Sequence, residues 1–313
     1  MKKKVIGYSL PIGMSPKAIT DKIHELRYAT GASWVDVNTV GRRVDLMLYF
    51  GEMESNIPYE LPENLADYRL PIPIGYDMDD KLIMLDMGGD AHPYILVGGN
   101  PGTGKSVFIK GAVNCLTQFP PEYVRLVLID MKYGVELGQW REHPNKWLFA
   151  DDPLEGSRLK QTFGMLKIEI KNRMNLFKEK GEEVGRKILK MEEYNQVADK
   201  PLHYIMLVID EYAELKNTEK GNDYEGTLKS NLQTGRAAGI RCIAATQRPT
   251  VDCVSGTVKA VFNDRLAFAV ASKLNSRVIL DADGAEEIPS DIPGRAIFLT
   301  GSTYKTIQVM NYQ

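Results

Sequence analysis

Eight consecutive residues carry the clearest chemistry in this chain of 313: Gly99, Asn100, Pro101, Gly102, Thr103, Gly104, Lys105 and Ser106 fit G-x-x-x-x-G-K-[ST]. Glycines let the backbone curl until successive N–H groups point at one place, which is what a phosphate group needs. In such a loop Lys105 reaches the β- and γ-phosphates and the Ser106 hydroxyl ligates Mg²⁺. Val107 follows on a predicted helix over about 105–117, whose N-terminus adds anion affinity. The competing reading is a purely structural glycine turn. A chance match in a chain of this length is on the order of 1%, and the apolar run 94–97 leads in as a nucleotide loop requires.

A second element is the apolar run Ile205-Met206-Leu207-Val208-Ile209, closed by Asp210 and Glu211. Asp210 belongs beside the Mg²⁺ shell and Glu211 beside the attacking water as general base. An acidic pair after a strand is commonplace alone; joined to the phosphate loop it completes a set for ATP hydrolysis. Gln247, in Ala245-Thr246-Gln247-Arg248-Pro249, stands at another strand end, where it senses the γ-phosphate. Asp130-Met131-Lys132 resembles a further carboxylate site, although simple strand-end solvation explains it equally well. Histidines 24, 92, 143 and 203 have no ligand spacing and read as surface or packed residues.

The elements that hold these residues follow from hydrophobic period. Runs at 94–97, 124–129, 204–209, 240–245, 266–270 and 296–299 are continuously apolar and rich in β-branched residues, and a last strand lies at about 305–310. Separated by helices, they predict an α/β fold with a mostly parallel sheet covered on both faces. The strand at 124–129, between the two motifs in sequence, points to a RecA-like P-loop NTPase. Leu159, Phe163, Leu166, Ile170, Met174 and Phe177 place a helix over about 157–180, with Gly181 ending it. Residues 1–75 form a small α+β unit ahead of a motor domain over 76–313. Ser15-Pro16 caps a helix through Ile19, Ile23 and Leu26, Gly31 stops it, and 35–38 and 44–48 alternate as a hairpin. Pro58, Pro62, Pro71 and Pro73 then read as a linker.

Composition narrows the class. With 43% hydrophobic and 9% aromatic residues the chain buries a core and is not disordered. Cysteines 115, 242 and 253 form neither a disulfide framework nor a Cys-x-x-Cys pair, which fits a reducing compartment. The Lys2–Lys4 start followed by 5–10 imitates an export signal, but Gly7, Tyr8 and Ser9 interrupt it and Pro11 ends it. No run of 18 apolar residues spans a bilayer, so the expected location is the cytoplasm.

Several longer runs are specific: Leu128-Ile129-Asp130-Met131-Lys132, Val208-Ile209-Asp210-Glu211-Tyr212-Ala213-Glu214-Leu215 and Gly235-Arg236-Ala237-Ala238-Gly239-Ile240. Ala244-Ala245-Thr246-Gln247-Arg248-Pro249-Thr250-Val251-Asp252 and Ser272-Lys273-Leu274-Asn275-Ser276-Arg277-Val278-Ile279-Leu280-Asp281 belong with them. Together these runs resemble the FtsK/SpoIIIE family of hexameric DNA translocases. The likeness covers about 75–301 and implies a motor that pumps double-stranded DNA through a homohexameric ring using ATP and Mg²⁺. It implies that Arg236 is an arginine finger reaching a neighbour's nucleotide, a role that suits a planar, permanently charged guanidinium. Without the resemblance, an Arg near a helix C-terminus is favourable on its own account. The resemblance also implies that Arg248, Lys259, Lys273 and Arg277 contact DNA. The sorting members of the family carry a membrane anchor and a winged-helix module. Neither is in this sequence, which ends at Gln313, so the expectation is a stand-alone motor of the kind mobile elements or phages carry. The alternatives are a protein-moving motor of the type VII secretion kind and an assembly protein gated by nucleotide.

The net charge of −2 argues against a protein coated in basic surface. Residues 51–100 hold ten acids and two bases, a charge of −8, while residues 241–280 hold six bases and two acids, a charge of +4. The expectation is a DNA contact confined to a narrow ring.

Overall fold

The runs of β-branched and other apolar residues form the centre of one mixed sheet. The computed structural model describes residues 2–15, 17–152, 156–218 and 221–313. The chain opens with β1 (Lys2–Ser9), α1 (Lys17–Thr20) and α2 (Ile23–Thr30), then the hairpin β2 (Trp34–Val40) and β3 (Arg43–Phe50). The expected cap at Ser15-Pro16 falls partly on residue 16, outside the described residues. Next come β4 (Pro71–Asp77), β5 (Leu82–Asp86), β6 (Tyr94–Gly98), α3 (Lys105–Leu116), β7 (Val124–Ile129) and β8 (Lys146–Ala150). The long α4 (Ser157–Glu183) and short α5 (Met191–Asn195) lead to β9 (Tyr204–Ile209), α6 (Tyr212–Asn217), α7 (Gly221–Gly235) and β10 (Ile240–Thr246). The chain closes with α8 (Gly256–Lys259), β11 (Asp264–Phe268), α9 (Lys273–Leu280), β12 (Arg295–Thr300) and β13 (Thr303–Gln308).

The strand order is β1-β3-β2-β13-β12-β11-β6-β10-β9-β7-β8, with β4 pairing β13 and β5. From β11 to β8 the neighbours are parallel, and from β11 to β1 they are antiparallel. Every residue of β9 is buried, five of its six side chains completely, because helices cover both faces. Burying each such Ile, Leu or Val contributes roughly 1.5–3 kcal/mol, so the site stands on a fully buried strand.

Four local expectations change. The prolines at 71 and 73 lie in β4, a strand of the sheet rather than a linker, and β4 runs across residue 75. Gly181 does not end α4, which continues to Glu183; a Cβ there would meet the carbonyl of Arg186 at 2.8 Å, so the glycine permits the chain to fold back. Arg173 sits within the buried stripe of α4, donating to the carbonyls of His203 (2.7 Å) and Ala238 (2.8 Å) and to Glu169 (2.8 Å), while Met174 is only half-buried. In space, the strand inserted between those bearing the phosphate loop and the acidic pair is β10, not β7.

The first residues join the rest through few strand pairs but a shared core, in which Trp34, Tyr49 and Met53 cluster with Ala267, Ile279 and Leu299. The β2–β13 ladder has one residue pair, Val37 with Tyr304, and beside it Asp36 accepts from the Thr306 N–H at 2.8 Å. Arg27 of α2 adds an ion pair to Glu287 at 2.8 Å. Among the described residues, no helix is long and apolar enough to cross a membrane.

Candidate active site

The phosphate loop leaves the C-terminal end of β6 at the edge where every central parallel strand ends. Its first residues are tied down on both sides: Gly99 N donates to the Thr246 carbonyl (3.2 Å) and Asn100 N to the Ala269 carbonyl (2.9 Å). Gly104 needs its freedom, with φ at 110° and a would-be Cβ only 2.6 Å from the Gly294 backbone nitrogen. Thr103 closes the curl, its hydroxyl donating to the Asn100 carbonyl at 2.7 Å. Helix α3 then starts at Lys105, so its free N–H groups face the mouth of the loop.

Lys105 lies only 3% exposed, with Nζ donating to the Asp210 carbonyl at 3.1 Å and standing 3.9 Å from the Glu211 carboxylate. Burial pulls its pKa down, and Glu211 works against that. Asp210 Oδ1 accepts from the Met131 N–H at 2.7 Å, while its Oδ2 is buried without any partner. Burial pushes this carboxyl up to about 7. An orphaned buried oxygen costs about 1–3 kcal/mol, and a divalent cation shared with Ser106 would satisfy it. Among the described residues there is no cluster of three or more His, Cys, Asp or Glu placed to hold a metal. Mg²⁺ needs only one or two protein oxygens together with nucleotide phosphates and water.

Glu211 is fixed from β10. Its Oε1 accepts from the Thr246 hydroxyl (2.8 Å) and both its oxygens from the Gln247 N–H (3.0 and 2.9 Å). The inserted position of β10 brings Gln247 between the phosphate loop and the acidic pair, with its side chain half-buried. Sequence reasoning missed two contributors and left a third, Asp130, open between a carboxylate site and strand-end solvation. Asp130 is wholly buried and organises the loop after β7 through the N–H groups of Lys132, Glu136 and Leu137. Glu136, which belongs to no recognisable motif, accepts from Ser106 Oγ at 3.0 Å. Beside the loop opens a cavity of about 250 Å³ lined by Asn56, Gly104, Val107, Gly294, Gln308 and Asn311. These positions are scattered along the chain and leave no sequence signal. A larger cavity of about 560 Å³ at the end of α4, around Phe177 and Leu189, holds none of this chemistry.

Arg236 lies away from this group. It precedes β10, at the N-terminal edge of the parallel strands, so the length of β6 separates it from its own phosphate loop by roughly 17 Å. Its half-exposed guanidinium donates to the Asp90 carbonyl at 2.6 Å, and buried Arg241 donates to the Arg236 carbonyl at 3.0 Å.

Of the expected DNA-contacting residues, Lys259, Lys273 and Arg277 gather around Asp281 and Asp283, while Arg248 pairs with Glu214. Arg248, 66% exposed, stands 3.7 Å from Glu214, and Lys273, 58% exposed, stands 3.8 Å from Asp283. Arg277 makes a two-pronged bond to Asp283 at 2.5 and 2.9 Å. Lys259 is mostly covered, pairing with Asp281 at 2.5 Å and donating to the Arg277 carbonyl at 2.8 Å. Arg241, counted in the positive stretch, is fully buried, and Arg265 pairs with Asp281. The two aspartates that follow residue 280 therefore offset much of the charge counted before it.

The profile of the FtsK/SpoIIIE family matches residues 60–251. The protein "DNA translocase FtsK" of Listeria monocytogenes is 33% identical over 263 residues, which cover 82% of this chain and 33% of that protein. That of Brucella melitensis is 30% identical over 324 residues, covering 95% and 38%. This chain thus spans about a third of the length of the curated relatives it matches. Among solved structures, the pCW3 conjugation coupling protein TcpA, in a monomer form with ATPγS, superposes with a TM-score of 0.73 at 22% identity, over 99% of this chain and 86% of that one. The cytoplasmic domain of the type VII secretion ATPase EccC from Thermomonospora curvata gives 0.68 at 22% identity, over 83% and 30%. These two likenesses establish a P-loop ATPase fold.

Proposed function

The chain belongs to the FtsK/SpoIIIE family, and on that premise we propose that it is an ATP-driven translocase of double-stranded DNA. The observation that carries the reading is the convergence of Lys105, Ser106 and the acidic pair at one sheet edge, with the Asp210 Oδ2 left unpartnered among them. The loop from Gly99 to Ser106 binds the phosphates of ATP, and the cavity beside Gly104 and Val107 takes the nucleoside. Ser106 and Asp210 are the residues that would hold Mg²⁺, which when bound neutralises charge on the phosphates. Glu211, its carboxylate aimed by Thr246 and the Gln247 N–H, accepts the proton of the attacking water. The Gln247 side chain reports whether the γ-phosphate is present.

Arg236 is too far from its own loop to help there, which supports its use in trans by a neighbouring copy. That arrangement makes a closed ring the working form, and we take the ring to be a hexamer. Arg248, Lys259, Lys273 and Arg277 contact DNA once Asp281, Asp283 and Glu214 exchange their partners. Residues 1–75 form a separate small unit on the motor domain 76–313, with β4 bridging the two, and the protein works in the cytoplasm in the service of a mobile element or phage.

The test is the ATPase rate with and without long duplex DNA, across a salt titration. Duplex should accelerate turnover several-fold at low salt, and the gain should fall steeply as salt rises. A rate indifferent to duplex at every salt concentration would overturn DNA as the cargo and favour a protein-moving motor.

A further inference from the structure

Glu136 lies outside every motif, yet the fold places it on the phosphate loop. The chain leaves β7 at Asp130, whose Oδ1 accepts from the Lys132 N–H (2.9 Å) and whose Oδ2 accepts from those of Glu136 (2.9 Å) and Leu137 (2.7 Å). Met131 N donates to Asp210 Oδ1 at 2.7 Å, so residues 131–137 hang between two strand-end carboxylates. This seats the Glu136 side chain, only 19% exposed, against three donors. Ser106 Oγ lies 3.0 Å away, Lys132 Nζ 3.3 Å and Lys110 Nζ 3.2 Å. Ser106 and Lys132 are groups that a bound nucleotide and its cation claim for themselves, since Lys132 lies within electrostatic reach of Lys105 and Asp210. Two ammonium groups and one hydroxyl thus converge on the Glu136 carboxylate.

We propose that Glu136 is a positioning residue that makes nucleotide binding depend on Mg²⁺. It holds the Ser106 hydroxyl and the Lys132 ammonium in the free chain, opposes a bare triphosphate, and favours the same triphosphate accompanied by a divalent cation. The proposal rests on the phosphate loop binding nucleotide as read above. At an effective dielectric near 20, one carboxylate charge close to a phosphate group corresponds to roughly a tenfold or greater effect on binding.

The readout is the ratio of two dissociation constants for a slowly hydrolysed ATP analogue, one in EDTA and one in Mg²⁺, measured calorimetrically on the full chain. Glu136→Gln should shrink that ratio roughly tenfold, mainly through tighter binding in EDTA. Lys110→Met strips a counter-charge from Glu136 on the outer side of α3 and should move the ratio the other way. A merely structural role weakens binding equally in both conditions, so a ratio unchanged in both variants overturns the proposal. Should Glu136→Gln lose its cooperative melt, the Lys110→Met ratio decides alone. A wild-type chain that binds no analogue even with Mg²⁺ would instead overturn the reading of the phosphate loop itself.

Discussion

Replacing Asp36 by Asn should remove a pH dependence of stability seated at the joint between the first strands and the motor. Asp36 is 3% exposed on β2, and its Oδ1 accepts the Thr306 N–H of β13 at 2.8 Å beside the single residue pair that joins those strands. Burial pushes its carboxyl up to about 7, against 3.8 for the free group, although the bond from Thr306 and the nearby Lys305 oppose this. A carboxyl raised on folding stabilises the folded chain while protonated. Its contribution is complete below pH 3.8 and is lost as pH rises through about 7. Integrating between those values gives a loss of roughly 2–3 kcal/mol from pH 5 to pH 8. In a chain of this size that corresponds to a fall in Tm of roughly 4–10 °C. An asparagine keeps an oxygen for the Thr306 N–H and carries no charge, so the Tm of Asp36→Asn should fall less than that of the wild type over that range and overtake it at the alkaline end, Asp210 leaving a residual slope common to both. Differential scanning fluorimetry of both proteins in matched buffers reads this directly. Parallel Tm profiles for the two proteins would show that Asp36 ionises as easily in the folded chain as outside it and refute the reasoning.

Lys105→Ala and Arg236→Ala should each abolish turnover, the finger's loss costing about 10³–10⁵ in rate. A mixture should regain part of the activity, because some interfaces then pair an intact loop with an intact finger; near-normal turnover of Arg236→Ala alone would remove the assignment. Gly104→Ala should abolish nucleotide binding, measured by calorimetry, because its Cβ meets the Gly294 backbone nitrogen at 2.6 Å in a left-handed conformation; retained affinity would show that the loop re-forms without its curl.

The identity of the nucleotide machinery was legible in the residues themselves. A loop that binds phosphate through backbone N–H groups needs glycines at fixed spacing, and strands buried on both faces need unbroken apolar runs. Gly99 to Ser106, the pair Asp210 and Glu211, and the α/β class could therefore be read without coordinates. Long-range assembly could not. Which strand lies between the two motifs is set by pairing across distant segments, and the inserted strand is β10, which is why Thr246 and Gln247 grip Glu211. Burial of an arginine is equally invisible in one dimension, since Arg173 and Arg241 donate to carbonyls from distant parts of the chain. The charge counted over residues 241–280 is incomplete for the same reason, because Asp281 and Asp283 fold back onto it. Sequence alone determined the chemistry that local spacing encodes. Tertiary structure decided which charges stay free to act, because pairing and desolvation depend on neighbours brought together from far along the chain.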